Sequence, residues 1–204
     1  MHKKCEDAAY AAVTVAWRYA QSGRSLASVA LAGSTQCLQG QHYPARDVVD
    51  EVHGYRFYYH AHPSSRYPAQ EHGHFHLFAN AVGHQGFAHL GGLSLDNMGQ
   101  PLRWFMTNGW VTGETLQAAG QARAALRGFQ VQTRGRLAPL ARWVSAMAVL
   151  YAQELDELLL ARDQWLVQRT AALGAAAQTV WDDRQVDVVC ERSIDWTGKL
   201  AQFV

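Results

Sequence analysis

Apolar positions near the start of the chain recur at the spacing of an α-helix. This spacing predicts helical structure over about residues 6–32, with one apolar stripe turned to the core. The stripe expected to be buried consists of Tyr10, Val13, Trp17 and Ala20. Ser25 is placed to cap a second, short helix that runs to Leu31 and ends at Gly33.

The pattern changes to alternation of apolar and polar residues in the middle of the chain. Alternation is typical of strands, because successive side chains of a strand point to opposite faces. The predicted strands cover about residues 55–62, 73–79, 88–95 and 102–107. Short connections between them favour a small antiparallel sheet of about four to five strands within residues 54–108.

Helical spacing returns from about residue 113 and continues toward residue 204. Thr112 is a candidate cap for a helix from Glu114 to about Arg127. A long helical pattern opens at Pro139 and continues to about Ala172, with a bend expected near Leu160.

The tail contains a possible strand from Val186 to Cys190 and a short helix from Ser193. Helices on both sides of an antiparallel sheet in the sequence predict an α+β fold. The length of 204 residues is consistent with a single domain over residues 1–204.

Charge and composition exclude several classes of partner. The 18 basic and 17 acidic residues are mixed along the chain and give a net charge of +1, which predicts no binding to nucleic acid or to an anionic membrane. No apolar run approaches the ~20 residues that span a bilayer. The three cysteines are far apart in sequence, which favours a reducing compartment. We therefore expect a cytoplasmic protein with a small-molecule or metal partner, and the oligomeric state stays open.

Histidine is concentrated in the predicted sheet: seven of the ten histidines lie between positions 60 and 89. Four of them form two alternating pairs, His60 with His62 and His74 with His76. If the two segments form a hairpin with His62 opposite His74 and His60 opposite His76, the four rings share one face, with opposed Cβ atoms ~5 Å apart. A shift of register by two residues would bring in His72 instead of His76 and still leave three ligands, whereas a shift by one would turn one pair to the wrong face.

Such a cluster predicts a transition-metal site, because imidazole nitrogen is a common ligand of iron, copper and zinc. His72 and His89 are possible additional ligands. Glu71 is a candidate further ligand or an acceptor that orients a histidine, and Tyr58 is a candidate for proton or redox chemistry. Arg103 and Asn108 precede a predicted helix start and are candidate substrate-binding residues.

A metal-dependent enzyme with oxidative or hydrolytic chemistry is the first functional hypothesis. A metal or haem carrier or sensor without turnover is the alternative. An enzyme is expected to leave a coordination position open beside a cavity, and a carrier is expected to have a closed or surface site.

Two resemblances accompany these patterns. Residues 72–78, HGHFHLF, resemble the signature of the histidine-triad nucleotide hydrolases, which implies that His74 would attack an α-phosphate. Residues 71–78 and residues 107–114, TNGWVTGE, are similar to a family of bacterial proteins of unknown function. That second resemblance covers most of the chain and implies no activity.

Overall fold

The centre of the fold is a six-stranded antiparallel sheet in which each strand pairs with its neighbours in sequence, in the order β1-β2-β3-β4-β5-β6. The computed structural model describes residues 2–62 and 67–203. The strands are β1 Tyr43–Asp50, β2 Tyr55–His60, β3 Gly73–Asn80, β4 Phe87–Leu95, β5 Pro101–Thr107 and β6 Val188–Ser193. The helices are α1 His2–Gln21, α2 Leu26–Ala30, α3 Gly109–Thr112, α4 Ala119–Leu126, α5 Ala138–Leu150, α6 Ala152–Leu173, α7 Ala177–Trp181 and α8 Trp196–Leu200.

The α+β fold and the antiparallel meander are confirmed, and the sheet is larger than the predicted four to five strands. Strand β1 was not predicted, because its sequence YPARDVVD is rich in charge and lacks regular alternation. Strand β6 pairs with β5 at the other edge of the sheet. It begins two residues after the predicted Val186, so the tail extends the sheet instead of standing apart from it.

One face of the sheet packs against the helices and forms the core. Phe57 and Tyr59 of β2 and Phe75 and Leu77 of β3 are fully buried in this core, as the alternation predicted. The ring centroids of Phe75 and of Trp143 in α5 are 6.1 Å apart, and this contact connects the sheet to the helical layer. Burying each such side chain contributes roughly 1.5–3 kcal/mol.

The buried side of α1 is not the predicted stripe. Tyr10 and Trp17 are 72% and 59% exposed, and Val13 is also exposed. The residues that are buried are smaller on average: Ala8, Ala9, Ala11, Ala12, Val15 and Tyr19. Both stripes have helical spacing, and the alanine-rich one faces inward because small side chains let α1 pack closely on α5.

The helices after the sheet also differ from the prediction. Thr112 is the last residue of α3 and not the cap of a longer helix, because Gly113 follows it in the left-handed conformation, at φ 60°. The chain then has no helix until α4. The predicted bend near Leu160 occurs instead at Tyr151, between α5 and α6.

Two further features complete the fold. Asp195, not Ser193, caps α8, where its side chain accepts a hydrogen bond from the backbone N–H of Gly198. In the part of the chain that the structure describes, no helix combines the length and the apolar character needed to cross a membrane.

Candidate metal centre

The pairing of β2 with β3 brings histidines from both strands together. His60 lies opposite His74, and Tyr58 lies opposite His76. The predicted register, with His62 opposite His74, is wrong by two residues, because β2 ends at His60 and His62 lies beyond the strand. An even shift keeps every side chain on its predicted face, so the histidines still share one face.

Three imidazoles converge on this face. Nε2 of His60 lies 2.8 Å from Nε2 of His74 and 2.9 Å from Nε2 of His76. One ligand atom from each of the three rings lies within 4.8 Å of the others. His60 is 5% exposed, and His74 and His76 are fully buried. We call these three residues the histidine triad.

A carboxylate orients the ring of His74. Nδ1 of His74 lies 2.5 Å from Oε1 of Glu71, and the other carboxylate oxygen of Glu71 accepts a hydrogen bond of 3.2 Å from Nη2 of Arg103. Arg103 also forms an ion pair with Glu191, which lies at the surface. Donation from Nδ1–H to Glu71 leaves the lone pair of His74 on Nε2, which is the atom turned toward the other two rings.

His89 orients His76 in a similar way. Nε2 of His89 lies 2.9 Å from Nδ1 of His76, and its own Nδ1 lies 3.3 Å from Oγ1 of Thr107. The backbone N–H of His89 donates to Oε2 of Glu114 at 2.5 Å. His89 was predicted as an additional ligand, and it instead lies beside the triad, in contact with the outer nitrogen of His76.

A β-bulge places His89 on the histidine face. Leu77 pairs with Gly91, but the next residue, Phe78, pairs with His89, so Leu90 is an extra residue in β4. The extra residue reverses the alternation for the preceding part of the strand. Gly91 adopts a φ of 154° at this position, and a Cβ there would lie 2.6 Å from a methyl carbon of Leu155.

Aromatic rings pack around the triad. The ring of Phe105 lies edge-on to His74 at 5.1 Å and to His76 at 5.9 Å, measured between ring centroids. Gly92, opposite His76, makes this packing possible, because a Cβ at position 92 would lie 2.4 Å from the Phe105 ring. The ring of Tyr67 stacks on His74 with a centroid distance of 5.1 Å.

Burial sets the charge of the cluster. It lowers the pKa of His60, His74 and His76, and the neighbouring imidazoles lower it further. Burial likewise lowers the pKa of His89, to about 3. The rings are therefore neutral at pH 7, and neutral imidazole is the form that binds a metal ion. The opposite effect applies to a carboxyl group: burial raises the pKa of Glu114 to about 7.

The other predicted site residues take different positions. His62 is half-buried beside the triad, with its ring centroid 4.5 Å from that of His60. Tyr58 is buried against His76 and stacks on His42, and burial raises the pKa of its hydroxyl. The structure does not bring His72 into the cluster, because its Nδ1 lies 2.8 Å from the hydroxyl of Tyr59, a residue of the core face.

Arg103 and Asn108, the candidate substrate-binding residues, do not lie together in one site. Arg103 contacts Glu71, as described above, and so belongs to the surroundings of the triad. Asn108 is buried, and its Nδ2 donates to the backbone oxygens of Val180 and Asp183 at 2.9 and 3.1 Å. It therefore anchors α7 to the end of the sheet.

Glu114 is an ionisable neighbour of the cluster that sequence reasoning did not identify. The sequence placed it in a helix, whereas its side chain is buried beside His89. Its position depends on the irregular segment after Gly113, which no spacing pattern predicts.

Comparison with protein-family models supports one of the two resemblances. A model described as a domain of unknown function, DUF6969, matches residues 6–194. The chain belongs to the DUF6969 family. The similarity to an uncharacterised family is thereby confirmed, and the DUF6969 description assigns no ligand or reaction. No curated protein and no solved structure matches the chain.

Proposed function

We propose that the protein binds one transition-metal ion through Nε2 of His60, His74 and His76. The observation that carries the proposal is the convergence of these three buried nitrogens, two of which belong to rings whose outer nitrogen already has a partner. Metal-bound histidines usually have such a partner on the second ring nitrogen.

Hydrogen bonds alone do not explain why the three Nε2 atoms of the triad lie so close together. Nε2 of His74 carries a lone pair when Nδ1–H donates to Glu71. Nε2 of a neutral His60 carries at most one proton, and it lies within hydrogen-bond distance of two other Nε2 atoms. Facing lone pairs in a buried site are unfavourable, and a bound cation would remove this repulsion.

The geometry is close to that of a metal site. Two nitrogens at ~2.0–2.1 Å from a tetrahedral metal ion are about 3.3 Å apart. The distances of 2.8 and 2.9 Å from His60 to His74 and His76 therefore need only a small increase, and all three ligand atoms lie within 4.8 Å of one another. Three neutral nitrogen ligands suit zinc, copper or iron. The three cysteines are half-buried and are not members of the metal-ligating group found among the described residues.

A metal-dependent enzyme is the functional class that we propose first. Three protein ligands leave at least one coordination position for water or substrate, as in catalytic zinc sites. Glu71 and Tyr58 lie next to the ligands and are the candidates for proton transfer. A metal carrier or sensor is the second candidate, and the burial of His74 and His76 favours it.

Two earlier alternatives receive less support. A nucleophilic His74 would need a free ring nitrogen facing a phosphate, but Nδ1 contacts Glu71 and Nε2 contacts His60. A haem would have to separate rings whose nitrogens are 2.8–2.9 Å apart.

Elemental analysis of untagged protein, followed by titration of the metal-free form with zinc, copper(II) and iron(II), tests metal binding. We expect one ion per chain in the wild type and none in His74→Ala. His84→Ala is the matched control, because His84 is exposed in the turn between β3 and β4. Equal binding by the wild type and His74→Ala would contradict the site.

The copper(II) form separates the two functional classes. Azide should change its electron paramagnetic resonance spectrum if a coordination position is open, as an enzyme requires. A spectrum that azide leaves unchanged would favour the carrier or sensor.

A further inference from the structure

A cavity lies on the opposite face of the sheet from the histidine triad. It has a volume of about 270 Å³, which suits a ligand smaller than a typical drug molecule. Residues of β5, β6, α6 and α8 line it, together with Tyr151 between α5 and α6. None of these residues belongs to the triad or contacts it in the hydrogen bonds described above.

Buried polar groups without partners line this cavity. Trp104 is fully buried and Tyr151 is 3% exposed. Neither the indole N–H of Trp104 nor the hydroxyl of Tyr151 has a hydrogen-bond partner within residues 2–62 and 67–203. The same holds for Oε2 of Glu154, which also lines the cavity. A buried polar group without a partner is unfavourable, so three in one cavity need an explanation.

The charges in the cavity are balanced. Lys199 donates to Oε1 of Glu154 at 2.6 Å, and its Nζ lies 4.8 Å from the centre of the Tyr151 ring. Arg192 and Asp195 also line the cavity, where Arg192 forms an ion pair with Glu157 and Asp195 accepts a hydrogen bond from the backbone N–H of Gly198. Burial raises the pKa of the Tyr151 hydroxyl, and the nearby carboxylates of Glu154 and Asp195 raise it further.

We propose that this cavity binds an α-amino acid or a similar small zwitterion. The indole N–H of Trp104 and the ammonium group of Lys199 are donors for a ligand carboxylate. Oε2 of Glu154 and the hydroxyl oxygen of Tyr151 are acceptors for a ligand ammonium group. A ligand with a single charge would satisfy one half of this set and leave the other half unpaired.

Calorimetric titration with each of the standard amino acids tests the proposal, with acetate and ethylamine as ligands that carry one charge. We expect at least one amino acid to bind, and the single-charge ligands to bind at least tenfold more weakly. No heat from any amino acid, or equal binding of acetate or ethylamine, would overturn the proposal.

Variants locate the binding. Trp104→Phe should weaken it at least tenfold, whereas Trp143→Phe should not, because Trp143 is equally buried and does not line the cavity. The indole N–H resonance that disappears in Trp104→Phe should shift when the ligand binds the wild type. If Trp104→Phe does not fold, Tyr151→Phe removes a single hydroxyl and serves the same purpose. Unchanged affinity in the folded variant would overturn the proposal.

The inference is independent of the metal proposal. His74→Ala, which should lose the metal, should bind the amino acid as the wild type does. In the wild type, amino-acid binding without metal binding would contradict the metal proposal alone, and metal binding without amino-acid binding would contradict the amino-acid proposal alone.

Discussion

The two faces of the central sheet are both buried, yet different side chains fill them. On the helix-facing side, Phe57, Tyr59, Phe75 and Leu77 pack against helices. On the other side, the same two strands present Tyr58, His60, His74 and His76. An apolar face gains free energy from burial itself. A face of imidazoles gains it only when every ring nitrogen has a partner, so the two faces should respond differently to pH, truncation and metal.

Acid should produce the largest difference between the faces. The pKa of His60, His74, His76 and His89 is lowered by folding, so below pH 6.5 the unfolded chain binds protons that the folded chain does not. Each such histidine reduces the free energy of unfolding by about 1.4 kcal/mol per pH unit, or roughly 2 kcal/mol at pH 5. Glu114 has the opposite effect on the free energy of unfolding. Because folding raises its pKa to about 7, the folded chain takes up a proton there as the pH falls, and this offsets part of the loss.

We therefore expect the metal-free protein to lose most of its stability between pH 6.5 and 5, as measured by urea unfolding at a series of pH values. His89→Gln should make the dependence on pH less steep, and His84→Ala should leave it unchanged. A free energy of unfolding that stays constant over this range would mean that the rings are not buried in the neutral form.

Truncation of the helix-facing side should have the next largest effect. Phe75→Ala removes a fully buried ring from the core and should lower the free energy of unfolding by about 3–5 kcal/mol. Urea unfolding of the metal-free protein measures this change. The metal affinity of the folded variant should stay that of the wild type, because Phe75 points away from the triad. Loss of metal binding without loss of stability would show that the faces are not separate.

Removal of the charge beside His74 should have the smallest effect of the three. Glu71→Gln keeps the size of the side chain but weakens the acceptor for Nδ1–H, and we expect metal affinity to fall by about 10- to 100-fold. Competition with a chromophoric chelator measures the affinity. Glu191→Gln is the matched control, because Glu191 contacts the same Arg103 from the exposed side and does not touch His74. An equal loss in both variants would assign the effect to Arg103 and not to the orientation of His74.

The sequence predicted the class of fold and the face on which the histidines lie, and it did so through the two-residue period of strands. A shift of register by an even number of residues leaves each side chain on the same face of the sheet. His60, His74 and His76 could therefore be placed together although the predicted pairing was wrong by two residues. Features set by tertiary packing were not predictable in this way. The buried side of α1 and the position of Glu114 depend on which neighbours the chain meets, and no local pattern distinguishes the alanine stripe of α1 from the stripe of Tyr10 and Trp17.

The additional residue in β4 has a practical consequence for finding related centres. His76 and His89 are separated by an odd number of positions, and only the bulge at Leu90 makes neighbours of them. A search for comparable sites that accepts only even separations between histidines on adjacent strands would overlook this arrangement. Without the bulge, Phe78 would pair with Leu90, and His89 would turn toward the helices and leave the outer nitrogen of His76 without its partner.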